Sequence, residues 1–247
     1  MMQAATRGAT EAAAAAGSAF PWPADRVARY TAYRAAGPIT PDGVLDEQSW
    51  AQAPRSPRFA DLVNGEATVH DTRAAVLWDD ENLYVAYWIE EPDVRATLTE
   101  RDALLYLEND VELFIAGADS YYELEVNALG NIYEAFFVWE DSYARFAGDP
   151  AFSREPEQAR PFAGNDFRHP RGDRIGFWNF DYPGLQVGAR VDGTLNDSSD
   201  RDRGWTVELC LPWAGLAKLA AADGRSLPPK AGDVWRMDFS RFNQYQV

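Results

Sequence analysis

The chain has 247 residues, with 39 Asp and Glu against 23 Lys and Arg, a formal charge of −16. Apolar residues at 46% argue against a disordered chain, and the acid excess argues against a surface that tracks phosphates of nucleic acid. A single cysteine, Cys210, excludes an internal disulfide and a cysteine-only zinc site, and two histidines, His70 and His169, leave little for a histidine-rich one.

In chain order, residues 1–28 read as a flexible Ala-rich N-terminal tail. The first twenty residues carry only Arg7 and Glu11, without the charged and apolar regions of a signal peptide. No run approaches the roughly 18 apolar residues of a membrane-spanning helix. Residues 29–247 read as one domain. A first strand is expected near 29–35 and a helical turn at 46–53. Alternation of β-branched and aromatic residues then predicts strands at 73–78, 83–90, 111–115, 121–128 and 132–139. Asp79-Asp80-Glu81-Asn82 and Leu129-Gly130-Asn131 suit hairpin turns, because Asn, Asp and Gly tolerate positive φ. Residues 147–175, punctuated by Pro150, Pro156, Pro161 and Pro170, read as an inserted loop over one end. Strands follow at 185–191 and 205–211, then a short helix at 213–222 behind Pro212, and a last strand at 234–242. Many short strands and few helices give an all-β class: a β-sandwich of two antiparallel sheets, jelly-roll-like. The sequence ends soon after its last strand, so a C-terminal portion of the domain is expected to be missing.

Tyr121-Tyr-Glu-Leu-Glu-Val-Asn127 puts Tyr122, Leu124 and Val126 on one side and Tyr121, Glu123, Glu125 and Asn127 on the other. If residues 110–115 pair with it through the 116–120 turn, one face carries Asp110, Glu112, Glu123, Glu125 and Asn127. Three readings fit such a face. Sugar rings lie on aromatic side chains and offer hydroxyls to planar acceptors. A carboxylate pair through Asp110, Glu112 or Glu123 suits glycoside hydrolysis, where acid and base stand about 5 to 9.5 Å apart. A plain solvated sheet face needs neither. Trp178, within Gly176-Phe-Trp-Asn-Phe-Asp-Tyr182, is either a ligand platform or an aromatic plug. Oxygen-rich loops at Asp79 and Asp80, and at Asp197 and Asp200, are calcium candidates, although turns favour the same residues and neither loop has EF-hand spacing. No nucleophile elbow, phosphate-binding glycine loop or His-Glu-x-x-His is present.

An ordered set of stretches resembles the family 9 carbohydrate-binding module and its family 9-like relatives. These are Ile39-Thr-Pro-Asp-Gly-Val-Leu-Asp-Glu-Gln-Ser-Trp50, Ala75-Val-Leu-Trp-Asp-Asp-Glu-Asn-Leu-Tyr-Val85, Asn109-Asp-Val-Glu-Leu-Phe-Ile115, Tyr121 to Asn127, and Gly204-Trp-Thr-Val-Glu-Leu-Cys-Leu-Pro-Trp213. The resemblance implies a sandwich with structural calcium that binds mono- or oligosaccharide without catalysis, accompanies glycoside-degrading enzymes, and is secreted or periplasmic. It implies that Tyr106 stands where one of two sandwiching tryptophans is expected, that Asn127 matches a sugar-contacting asparagine, and that Glu125 replaces a sugar-contacting arginine. The second tryptophan would lie beyond the last strand. The alternatives are an enzyme or enzyme fragment acting on O-glycosyl compounds, and an interaction module that has lost its sugar site.

Overall fold

A computed structural model describes residues 27–164 and 169–244. The predicted tail therefore lies almost wholly outside the described residues. Two sheets face each other. In the first the order is β1 (Tyr33–Arg34), β2 (Thr72–Trp78), β3 (Asn82–Glu90), β10 (Gly204–Pro212) and β9 (Gln186–Asp192). In the second it is β11 (Arg236–Phe242), β4 (Asp110–Ala116), β5 (Ser120–Asn127), β6 (Ile132–Trp139), β8 (Arg174–Phe177) and β7 (Ala159–Phe162). Every pairing is antiparallel except β1 with β2. The expected β-sandwich is the fold. Among the described residues, helix is confined to α1 (Gln48–Gln52), α2 (Ala217–Asp223) and short 3-10 turns.

The core follows from strand periodicity. Val85, Tyr87, Val207 and Leu209 point inward from one sheet, and Val111, Leu113, Ile115, Leu124, Phe136 and Phe177 from the other. Tyr87 spans the interior and donates its hydroxyl to the Glu112 carbonyl at 2.7 Å, which ties β3 to β4. The segment expected to be an inserted loop instead supplies β7 and β8, which extend the second sheet. Pro161 disguises β7, and β8 is only four residues long. β7 is an edge strand, where a missing N–H costs no ladder bond, so Pro161 is tolerated opposite Ile175.

The chain around 35–53 covers part of the outward face of the first sheet and leaves a cavity beside Arg73, Trp88 and Thr206. Trp50 packs with Ala75, Leu77, Tyr84 and Ala86. Its Nε1 donates to Glu208 at 2.6 Å, and the Gly43 N–H donates to the same carboxylate at 3.2 Å. A β-carbon at Gly188 would fall 2.4 Å from the backbone of Asp42 and Gly43, so glycine there lets the strap lie flat.

Candidate functional site

The second sheet turns its polar residues outward. Cross-strand register sets Ser240, Glu112, Glu125 and Tyr133 in one row, with Phe242, Asp110 and Asn127 in the next. The pairing through the 116–120 turn therefore gathers the five polar residues read from the alternation onto one face.

Residues 98–108 fold back over this face. Leu105 is buried against Tyr133, Ala135 and Phe137. Asn127 anchors the segment: its Nδ2 donates to the Leu98 carbonyl at 2.9 Å and to Glu108 at 2.8 Å. Its Oδ1 accepts from Leu129 N at 3.1 Å and Asn131 N at 3.0 Å. Both donors and both lone pairs of Asn127 are thus engaged, and the residue is 0% exposed. Tyr106, on the 3-10 turn Leu105–Leu107, donates its backbone N–H to Glu125 at 3.0 Å. Its ring meets Tyr133 edge-on at 6.2 Å and stays 37% exposed. Trp178 donates Nε1 to the Tyr133 hydroxyl at 2.6 Å and meets Phe137 edge-on at 5.5 Å.

Tyr106, Glu125 and Trp178 are therefore brought together around Tyr133, with Asn127 beneath the covering segment. Tyr106 offers an open ring, whereas Glu125, at 1% exposure, lies under the chain. Phe242, exposed on β11 opposite Asp110, is a second aromatic that the sequence reading did not single out. Its signal was its place in the alternation of the last strand.

Asp110, Glu112 and Glu125 offer carboxylate oxygens within 4.8 Å of one another. Burial is the main cause that raises all three pKa values, and each other's charge adds to it for Asp110 and Glu125. Glu123, two residues from Glu125 along the strand, is pushed up to about 8 by burial and then by Glu112. Three buried carboxylates that converge in this way could hold a metal ion.

The loop aspartates named as calcium candidates lie in two separate turns. Asp79 and Asp80 sit in the β2–β3 turn, beside the Pro212 end of β10, because Trp213 N donates to the Glu81 carbonyl at 2.9 Å. Asp197 and Asp200 lie in the β9–β10 connection, beside the Gly204 end. A nine-residue strand separates the two pairs by about 27 Å. Their oxygens already have partners. Asp79 accepts from Glu81 N at 2.8 Å, Asn82 N at 2.7 Å and the Tyr84 hydroxyl at 2.8 Å. Asp80 pairs with Arg34, Asp197 accepts from Ser199 N at 2.9 Å, and Asp200 from Thr194 Oγ1 at 2.9 Å. These are the side-chain-to-backbone bonds and ion pairs of ordinary turns.

Residues 64–145 match the family model of carbohydrate-binding family 9. Carbohydrate-binding family 9 is the family this chain resembles. The match runs from the turn before β2 through β6 and takes in Tyr106, the acidic triad and Asn127. A provisionally assigned carbohydrate-binding protein from Bacteroides uniformis is similar over 86% of this chain and 82% of its own, at 14% identity and a TM-score of 0.50. A family 9 module from Caldicellulosiruptor kristjanssonii, solved with cellotriose, covers 72% of this chain and 82% of its own, at 15% identity and a TM-score of 0.33. The same kind of module with glucose covers 71% and 83%, at 16% identity and 0.32. Of the three, the Bacteroides likeness supports the fold. No curated protein sequence matches the chain. No described helix is long and apolar enough to cross a membrane.

Proposed function

We propose that this chain is a non-catalytic carbohydrate-binding domain that serves polysaccharide or glycoside breakdown and takes mono- or oligosaccharide on the outward face of its six-stranded sheet. The observation that carries the reading is the family 9 match, because its residues 64–145 include the exposed Tyr106 ring and the polar row beneath it. In this reading the C–H face of a sugar stacks on Tyr106. Glu125 holds the Tyr106 turn from beneath by accepting its backbone N–H, Asn127 holds the covering segment in place, and Trp178 fixes Tyr133 from the side. Hydrolysis is the less supported reading. Of its candidate carboxylates, Asp110 and Glu112 are buried, at 0% and 6% exposure, where a substrate does not reach.

Calorimetric titration with glucose and cellotriose tests the proposal. Wild type is expected to bind, and Tyr106→Ala to lose about tenfold in affinity at an unchanged Tm. A folded wild type that gives no heat up to about 10 mM sugar overturns it.

A further inference from the structure

We propose that the cavity on the outward face of the five-stranded sheet, lined by Arg55, Arg73, Trp88 and Thr206, is a second binding site that takes a sugar carboxylate, a single unit of the uronate class. The inference goes beyond the sugar reading of the Tyr106 face and stands or falls apart from it.

Strand register builds the site. Arg73, Trp88, Thr206 and Arg190 form one cross-strand row over β2, β3, β10 and β9. The neighbouring row, which holds Ala75, Ala86, Glu208 and Gly188, lies under the strap. The strap stops at Thr206, whose hydroxyl donates to the Gly43 carbonyl at 2.6 Å, and its edge becomes one wall of the cavity. Trp50 meets Trp88 edge-on at 6.4 Å and holds the indole from that side. The cavity measures about 260 Å³, below the range of drug-sized pockets, which suits one ring rather than a chain.

The charges around it are unequally spent. The chain carries −16 overall, yet Arg55, Arg73 and Arg203 balance Asp71, Glu90 and Asp192 along this lining. Two of the arginines are paired, Arg73 Nε with Asp71 at 3.1 Å and Arg203 with Asp192 at 2.6 Å. Arg55 forms no hydrogen bond or ion pair among the described residues. Its guanidinium lies over the Trp88 indole, 3.9 Å from the ring centroid, a contact that holds the head group and leaves its N–H donors unspent. Burial, and then the Arg73 charge, lowers the Arg55 pKa, so an anion beside the two relieves both. The guanidinium fork matches a carboxylate with two parallel N–H donors. Glu90 adds the opposite chemistry. It spends Oε2 on Asp71 N at 2.9 Å and otherwise faces the cavity as an acceptor for hydroxyl hydrogens. A free cationic fork and an anionic acceptor in a space for one ring call for a ligand with both a carboxylate and hydroxyls. A uronate has both, a neutral sugar lacks the first, and a simple anion lacks the second.

The test is calorimetric titration of the full chain with sodium glucuronate, sodium acetate and glucose, at low salt. Wild type is expected to bind glucuronate about tenfold more tightly than acetate. Arg55→Ala is expected to lose about tenfold in glucuronate affinity at an unchanged Tm, because the side chain is exposed and its donors are unspent. Arg55→Lys, which keeps the charge but not the fork, is expected to recover little of that loss. Tyr106→Ala is expected to weaken glucose binding and leave glucuronate affinity as it was, so the two faces read out separately. A chain that binds glucuronate but not glucose supports this site and sinks the reading of the Tyr106 face alone. No heat with glucuronate up to about 10 mM, equal affinity for acetate, an unchanged glucuronate affinity in Arg55→Ala, or its loss in Tyr106→Ala overturns the proposal.

Discussion

The two outward faces of the sandwich handle buried acid in opposite ways. On the five-stranded sheet, Glu208 stands alone and both its oxygens receive donors, from Trp50 Nε1 and Gly43 N. Glu91 is answered just as fully, by Asn109, by Trp205 Nε1 at 2.7 Å and by Arg241. On the six-stranded sheet, three carboxylates crowd together and one oxygen of Asp110 has nothing. A buried carboxylate whose every lone pair is matched is part of the scaffold. A group of them left short of donors is where protons are retained, and burial raises the pKa of all three.

The comparison can be broken by taking donors away from the satisfied side. Arg241→Met strands the Glu91 charge in the interior, so a loss of about 3–5 kcal/mol in urea unfolding is expected. A loss below about 1 kcal/mol would mean that matched and unmatched acids are energetically alike. Trp50→Phe keeps the ring packing of the strap but removes the Nε1–H, and is expected to cost about 1–3 kcal/mol by the same measurement.

A smaller effect concerns pH. Burial pushes Glu208 up to about 7, with the Trp50 hydrogen bond opposing. A carboxyl with a raised folded pKa is relatively favoured when protonated. Its contribution is therefore full below the unfolded value near 4.3 and declines as pH rises through about 7. Glu208→Gln is expected to flatten the fall in Tm between about pH 5 and 8 relative to wild type. An unchanged slope would show that Glu208 stays ionised across that range.

Much of the fold was legible. Period-two alternation located nine strands to within a few residues, and the 121–127 stretch alone told which residues share the polar face. β7 and β8 escaped because each runs for only four residues and Pro161 makes β7 look like loop; β8 is a strand because it pairs with β6 and β7 on either side. The site was half legible. Glu125 and Asn127 were visible on the alternating strand, but the lid over them was not, since residues 98–108 have no periodicity and are held by Asn127, Asn131 and Glu108. The turn aspartates are ambiguous for a chemical reason: oxygen-rich loops serve both cations and backbone N–H groups, and the oxygens of Asp79 and Asp197 accept from backbone N–H groups here.

The flat strap over Gly188 carries a lasting consequence. With Asp42 and Gly43 pressed onto that strand, any side chain at position 188 would have to lift the strap off the sheet, so this one position couples the edge strand β9 to the packing of Trp50 and Glu208 beneath the strap.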